Sequence, residues 1–220
     1  MRHPSIPVAV LIALAFSALP APAAKKKPKT TKPKPFAYYL LVLSYAPDFC
    51  AEPNGDKDPR ECGVGKKVGY VVHGLWPQGE TSKGPENCGS AGTIPAATMK
   101  KALAYIPTEK LIQHEWATHG TCSGLSVDAY FTALGKARDS VTIPPELAPS
   151  TQLSTPPADV LSKVAAANSG FPKTAFRTSC YPDKNLQEIR ICLNKDLSPR
   201  ACGSSAGQCT AKQVTLLPVQ

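Results

Sequence analysis

Runs of apolar residues along the chain predict strands. Residues 36–45 are almost all aromatic or branched apolar residues, which is typical of a strand buried on both faces. Residues 68–72 form a second apolar run, with His73 at its end, and a strand end is a rigid place from which to project a side chain. Three later segments are also strand-like, although the second alternates only in part: 175–181, 186–193 and 214–217.

Other segments carry apolar residues at helical spacing. They predict helices over residues 94–105, 107–119, 127–137 and 158–167, and Gly120 is a suitable stop for the second of these. Residues 50–65 and 142–157 are rich in Pro, Gly or polar residues and predict loops. Strands and helices do not alternate regularly, so we expect an α+β fold with a central, mostly antiparallel sheet, helices packed around it and disulfides stabilising it.

The first 24 residues are typical of an export signal. Arg2 supplies a positive start, residues 8–19 are apolar and uncharged, and residues 21–24 are small enough for signal peptidase. A short core helix or an uncleaved anchor is the alternative, but the run is shorter than the roughly 20 apolar residues that span a bilayer. We therefore expect export, to the periplasm or the medium, and no stable membrane insertion once the signal is cleaved.

Residues 25–35 alternate Lys with Pro and Thr and predict a disordered tail. The formal net charge of +9 falls to +2 once Arg2 and the six lysines of this tail are set aside, so the folded body is only mildly basic. The tail is either an electrostatic tether for RNA or an anionic surface, or a solvated linker, and we favour the linker. Residues 36–220 then have the size of one domain, and nothing in them demands more than a monomer.

Eight cysteines follow the signal sequence. An even count in an exported chain predicts a disulfide framework formed in an oxidising compartment. The chain has no Cys-x-x-Cys pair, which argues against a zinc site. Spacing by itself leaves all 105 pairings of eight cysteines open.

Two short segments concentrate the residues that suit acid/base chemistry. Residues 73–78 read His-Gly-Leu-Trp-Pro-Gln, and residues 114–122 read His-Glu-Trp-Ala-Thr-His-Gly-Thr-Cys. They hold three of the four histidines and both tryptophans, and imidazole can hold or release a proton near neutral pH. Glu115 and His119 are four apart on the predicted helix, so we expect the carboxylate to lie beside His119 and to favour its protonated form.

These segments also have simpler and competing interpretations. Either tryptophan could be an ordinary core aromatic, which we favour for Trp116, whereas we favour binding for Trp76. A zinc protease needs two histidines four apart on a helix, but His114 and His119 are five apart, about 140° around the helix. The chain also has no Gly-x-Ser-x-Gly elbow. We therefore expect neither a metal site nor a serine nucleophile.

The two segments resemble the two active-site blocks of the ribonuclease T2 family, and residues 41–50, Leu-Val-Leu-Ser-Tyr-Ala-Pro-Asp-Phe-Cys, resemble its opening strand. The resemblance runs from about Phe36 to Cys209. It implies an endoribonuclease that uses neither metal nor cofactor, in which the 2′-hydroxyl attacks the adjacent phosphorus to give a 2′,3′-cyclic phosphate. Such an enzyme cleaves single-stranded RNA and not DNA, which lacks that hydroxyl.

The resemblance also implies roles for individual residues. His73 and His119 match the family's acid/base pair, although the sequence does not say which is the base in the first step. His114 matches a phosphate-binding histidine and Glu115 an acidic residue that supports catalysis. Two further positions match residues that bind the base: Trp76 by stacking and Gln78 by recognition.

The disulfide pairing is likewise implied by the resemblance. The family pattern pairs Cys88 with Cys122 and nests Cys192–Cys202 within Cys180–Cys209, which leaves Cys50–Cys62. The Cys88–Cys122 bridge would tie the first active-site loop to the end of the helix that carries the second motif.

One position departs from the family pattern. The family usually has lysine where this chain has Thr118, and a neutral hydroxyl cannot supply the same positive charge to the substrate-binding site. The loss of one such electrostatic donor commonly costs about 10²–10³ in rate. We therefore expect an active but slower enzyme, and the alternative is a catalytically weakened RNA-binding or surface-binding protein of the same fold.

Overall fold

The computed structural model describes residues 35–53 and 58–219. The predicted signal peptide, 1–24, and all but the last residue of the predicted tail, 25–35, lie outside the described residues. Within the described ranges, no helix is long and apolar enough to cross a membrane.

The main sheet has four antiparallel strands in the order β2-β1-β5-β4, and β3 pairs antiparallel with β6 in a second, two-stranded sheet. The six strands are β1 (Tyr38–Tyr45), β2 (Tyr70–Gln78), β3 (Leu153–Thr155), β4 (Phe176–Cys180), β5 (Leu186–Leu193) and β6 (Val214–Leu216). The expected α+β fold with a mostly antiparallel central sheet is therefore confirmed.

The described residues form six α-helices: α1 (Ala46–Ala51), α2 (Pro59–Cys62), α3 (Ala96–Ala102), α4 (Glu109–Thr118), α5 (Val127–Asp139) and α6 (Pro157–Ala167). The four predicted helices correspond to α3–α6. The prediction of loops over 50–65 and 142–157 was wrong in part, because the first contains α2 and the second contains β3. The start of α2 has a local cause, since the Asp58 side chain accepts a hydrogen bond from Arg60 N and Pro59 suits the first helical position.

Strand β1 is buried on both of its faces, as its continuous apolar run predicts. Tyr39, Leu41 and Leu43 point into the main core, which they share with apolar residues of helices α4 to α6. Tyr38 and Leu40 point the other way, into a smaller cluster against which Trp76 packs. Because β1 is the inner neighbour of β2, it provides the rigid support for the residues that β2 carries.

A β-bulge in β2 corrects the expectation that His73 stands at a strand end. The partner of Val42 in β1 is Gly74, but the partner of Leu43 is Val72, so His73 is the extra residue within a strand that continues to Gln78. A bulge re-aims side chains and is common beside functional sites. Val72 and Leu75, three apart, accordingly both lie in the main core.

A second bulge explains why residues 186–193 alternate only in part. Ser179 of β4 pairs with Glu188, but Cys180 pairs with Leu186, so Gln187 is skipped. Leu186 and Ile189 consequently both face the main core. Glu188 faces the opposite side, where it is directly opposite Ser44 of β1.

Four disulfides connect the elements: Cys50–Cys62, Cys88–Cys122, Cys180–Cys209 and Cys192–Cys202. These are the pairs that the family resemblance implies. Cys88–Cys122 joins the loop after β2 to the turn after α4, and hydrogen bonds from Asn87 N to Thr118 O (2.8 Å) and from Cys88 N to Thr121 Oγ1 (3.2 Å) reinforce the same junction. The two motif-bearing segments are therefore covalently coupled.

Candidate active site

The bulge in β2 brings Trp76 to the same side as His73, between two imidazoles. The ring centroid of Trp76 is 5.1 Å from that of His73, edge to face, and 4.9 Å from that of His119, nearly parallel. The two imidazole rings are thus separated by no more than the sum of these distances. A strand histidine and a distant helix-end histidine share one small site.

Glu115 projects from the buried side of α4 into this site and is fully buried. Its Oε2 accepts a hydrogen bond from Trp76 Nε1 at 2.7 Å. Its Oε1 lies 3.6 Å from His73 Nε2 and 4.0 Å from His114 Nε2. Burial raises the pKa of Glu115 to about 7, although the neighbouring His73 and the Trp76 hydrogen bond act in the opposite direction.

Gly74 allows Glu115 to come this close to β2. A Cβ at position 74 would collide with Glu115 Oε2 and with Trp76 Nε1. A side chain at this position of the first motif would therefore displace both the donor and the acceptor of the Trp76–Glu115 hydrogen bond, so the position requires glycine.

His119 has a different environment from the one its sequence spacing predicts. The Glu115 carboxylate contacts Trp76 and His73, so the expectation that it lies beside the His119 ring and favours its protonated form was wrong. His119 is 8% exposed, and its Nδ1 has no hydrogen-bond partner in the described part of the chain. Burial, together with the charges of His73 and His114, lowers the pKa of His119 to about 4.

His73 is held between two carboxylates. Its Nδ1 lies 3.1 Å from Glu188 Oε1, and its Nε2 faces Glu115. Burial acts to lower the pKa of His73, but the Glu188 hydrogen bond and the charges of Glu115, Glu188 and Glu61 outweigh it and raise that pKa. The two histidines of the site therefore have pKa values shifted in opposite directions.

Glu188 and the residue that holds it, Arg190, are not among the site residues predicted from the sequence. Arg190 donates from Nε (2.8 Å) and Nη2 (2.7 Å) to Glu188 Oε2. The sequence does contain a signal for them, because Glu188 and Arg190 are charged residues two apart in a predicted apolar strand. A charged side chain that is buried needs a partner, so the two residues could have been expected to pair.

A cavity of about 330 Å³ opens beside His73. Its walls include Ser44, Phe49, Glu61 and Leu111. A second cavity of about 250 Å³ shares Phe49, Glu61 and Leu111 and reaches His114. Small-molecule sites are typically concave, largely apolar and supplied with a few polar groups, which matches these cavities.

The remaining predicted site residues lie around the edge of the site formed by His73, Trp76, Glu115 and His119. The His114 side chain is 60% exposed on the outer side of α4, with its Nε2 directed to Glu115. Thr118 is the last residue of α4 and shares the side of the helix that carries His114, four residues earlier. Gln78 is buried at the end of β2, where its Oε1 accepts from Gly84 N at 3.2 Å, so the contact that the structure gives it is with its own loop.

Trp116 is a core residue, as the sequence predicts. It is 8% exposed within the main core, and its Nε1 donates to Ala91 O at 2.6 Å. Among the described residues, no group of three or more His, Cys, Asp or Glu side chains is arranged to hold a metal ion.

Comparison with known proteins identifies the family. Residues 36–202 match the model of the Ribonuclease T2 family. A ribonuclease of Aeromonas hydrophila is 31% identical over 175 residues, which is 73% of this chain and 73% of that protein. A probable ribonuclease of Haemophilus influenzae is 36% identical over 122 residues, which span 50% of this chain and only 45% of that protein.

Solved structures give the same result for the fold. An RNase-related protein from Calystegia sepium superposes with a TM-score of 0.68 at 18% identity, covering 85% of this chain and all of that one. A mutant of RNase MC1 in complex with 5′-UMP superposes with a TM-score of 0.61 at 21% identity, covering 81% of this chain and 97% of that one. From its sequence match and its fold together, the chain belongs to the ribonuclease T2 family.

Proposed function

We propose that this endoribonuclease cleaves single-stranded RNA by transphosphorylation, with His119 as the base and His73 as the acid of the first step. His119 removes the proton of the 2′-hydroxyl, and the 2′ oxygen forms a bond to phosphorus. The bond from phosphorus to the 5′ oxygen breaks, and His73 gives its proton to that oxygen. The products are a 2′,3′-cyclic phosphate and a free 5′-hydroxyl.

The assignment of the two histidines is supported by their environments. A base must be neutral before it acts, and burial next to other imidazoles lowers the pKa of His119 to about 4. An acid must be protonated before it acts, and the carboxylates around His73 raise its pKa. Two titratable groups whose environments separate their pKa values in this way are suited to opposite roles.

Glu115 and His114 have supporting roles in this proposal. The Glu115 carboxylate, 3.6 Å from His73 Nε2, favours the protonated His73 and restrains its ring. His114 is exposed and borders a cavity, where its imidazole binds a phosphate oxygen and stabilises the charge that builds up on the phosphorane. Thr118 contributes a neutral hydroxyl nearby, so the site has less positive charge than one with lysine at this position.

The cavity beside His73 is proposed to accept a base next to the cleaved phosphate. Phe49 offers an aromatic ring for a splayed-out base, which favours single strands over paired RNA. The stacking role for Trp76 and the recognition role for Gln78 remain predictions. The internal contacts of Trp76 with both histidines support a further role in orienting them.

We further propose that the enzyme is exported, acts as a monomer outside the cytoplasm, needs no cofactor and does not cleave DNA. Four disulfides are consistent with folding in an oxidising compartment. The requirement for a 2′-hydroxyl nucleophile underlies the restriction to RNA.

The observation that carries the proposal is the convergence of His73 and His119 on either side of Trp76. The test is incubation of the protein with an RNA oligonucleotide and its 2′-deoxy counterpart in excess chelator, with mass spectrometry of the products. We expect RNA fragments ending in a cyclic phosphate, an intact DNA strand, and no cleavage by a folded His119→Ala variant. Intact RNA at every pH between 4 and 8, or cleavage that stops when chelator is added, would overturn the proposal.

A further inference from the structure

We propose that Glu188, held by Arg190, is the positioning residue for His73: it accepts a hydrogen bond from Nδ1–H and thereby keeps Nε2 as the atom that faces the cleaved phosphate. The inference rests on the proposed function only in that His73 is taken to act on the substrate. The tautomer that it assigns to His73 can be measured without any substrate.

The contacts form a directed chain from the sheet to the imidazole. Arg190 Nη1 donates to Ala206 O at 2.8 Å, which fixes the guanidinium. Arg190 Nε and Nη2 donate to Glu188 Oε2 at 2.8 and 2.7 Å, and Glu188 Oε1 then lies 3.1 Å from His73 Nδ1. Each oxygen of the Glu188 carboxylate thus has its own partner: Arg190 for Oε2 and His73 for Oε1.

The ionised state of Glu188 determines the tautomer. Burial acts to raise the pKa of Glu188, but the hydrogen bond with His73 and the charge of Arg190 outweigh it and lower that pKa. An ionised carboxylate only accepts hydrogen bonds, so Nδ1 must carry the proton. The nearby Ser44 Oγ, 3.4 Å from Nδ1, forms the weaker contact because of its distance.

The two carboxylates at His73 have different roles. Glu188 makes a contact of normal hydrogen-bond length on the Nδ1 side, whereas Glu115 lies 3.6 Å from Nε2, too long for a strong hydrogen bond. Nε2 can therefore transfer its proton to the leaving oxygen without first breaking a tight bond. A carboxylate that fixes the tautomer of a catalytic histidine from its other nitrogen is a recurring arrangement.

The placement of Glu188 depends on the register of the sheet. Glu188 lies directly opposite Ser44 of β1, and β1 in turn pairs with the bulged strand that carries His73. Gly207 leaves room for the guanidinium, since a Cβ there would lie 2.9 Å from Arg190 Nη1. Within the described residues, Glu61 of α2, Glu115 of α4, Glu188 of β5 and His119 influence His73 or are influenced by it. Glu52 and Tyr181 line the same cavity.

Glu188→Gln tests the inference because it exchanges an acceptor for an amide. Arg190 is the stronger partner and takes the amide oxygen, so the amide NH₂ points at Nδ1 and favours the opposite tautomer. We expect kcat to fall at least about 10- to 100-fold, the range found for carboxylates that orient metal-bound histidines, with less than about a 3-fold change in KM. The alkaline limb of the pH profile moves to lower pH, because His73 loses a negative neighbour.

Two controls separate positioning from stability. Glu80→Gln removes a carboxylate that pairs with Arg200 at 2.8 Å and is half exposed, and it should leave kcat and the pH profile as in the wild type. Nitrogen NMR of the histidines in the wild-type protein, above the pKa of His73, should show the Nδ1–H tautomer, whereas free imidazole side chains favour Nε2–H.

The outcomes distinguish the inference from the proposed function. A wild type that cleaves RNA in chelator, an inactive His73→Ala variant and a Glu188→Gln variant with unchanged kcat and pH profile would overturn the inference and leave the function standing. An Nε2–H tautomer in the wild type would also overturn it, even if Glu188→Gln failed to fold. Intact RNA with the wild type would instead count against the proposed function.

Discussion

Replacing Trp76 by Phe would remove the indole N–H donor from the site while keeping an aromatic ring between the two histidines. The Trp76 Nε1 donates to Glu115 Oε2 at 2.7 Å. The other oxygen, Oε1, has no hydrogen-bond partner in the described part of the chain. In the Trp76→Phe variant, a fully buried carboxylate therefore loses a hydrogen bond that nothing nearby replaces.

The size of the effect follows from the cost of an unsatisfied buried acceptor. A hydrogen bond to a charged group contributes about 1.5–3 kcal/mol, and one pH unit of pKa corresponds to about 1.4 kcal/mol. The pKa of Glu115, already raised to about 7, should rise further by about 1–2 pH units. Glu115 is then neutral at pH 7, the protonated His73 loses the charge that supports it, and we expect kcat/KM to fall about 10- to 100-fold.

The assay is the pH profile of kcat and kcat/KM on an RNA oligonucleotide in chelator, between pH 3 and 9. Trp116→Phe is the matched control, because it also removes a buried indole N–H, the donor to Ala91 O at 2.6 Å. We expect that control to lower the unfolding temperature without moving the pH profile. Equal activities and profiles for the two variants would refute the reasoning, because the Glu115 hydrogen bond would then have no influence on catalysis.

Three further predictions concern the pH profile, the missing lysine and the bridge between the motifs. Activity should rise with pH as His119 loses its proton near pH 4, because a base acts above its pKa. It should fall again at a pH above the ordinary imidazole pKa, where His73, whose pKa is raised, loses its own proton; a single descending limb from pH 3 upward would contradict this. Thr118→Lys should raise kcat by about 10-fold or more by adding positive charge at the phosphate site, with Thr118→Met as the uncharged control, and no gain over that control would count against the electrostatic account. Replacing both Cys88 and Cys122 by Ser removes a bridge between residues 34 apart in sequence and should lower the free energy of unfolding in urea by about 4 kcal/mol. A decrease under about 1 kcal/mol would show that other contacts hold the loop.

Much of the fold could be predicted because its signals are local. Residues 36–45 are apolar at nearly every position, which predicts a strand buried on both faces, and β1 is buried in this way. The helix predicted over 107–119 matches α4, Glu109–Thr118, because Thr108 caps it by accepting from Leu111 N at 3.0 Å and Gly120 follows its end. Such signals depend only on neighbouring residues.

The errors arose where long-range pairing overrode local preference. Gly74 and Pro77 argue against a strand beyond Val72, yet β2 continues to Gln78. The reason is its place at the edge of the sheet, where one side of the backbone needs no partner and such residues are tolerated. The same strand pairing with β1 creates the bulge at His73, which no count of residues along the chain could reveal.

The sequence by itself determined the chemistry available to this protein: which imidazoles, carboxylate and cysteines it has, in two motifs specific enough to indicate the family. The tertiary structure decided which of these groups meet. It turned Glu115 towards His73 instead of His119, inserted Trp76 between the histidines, and brought Glu188 from a strand more than a hundred residues away against Nδ1 of His73. Residue types are encoded locally, but the pKa of a group depends on burial and on charges within a few ångströms, and those neighbours are set by strand register and helix packing.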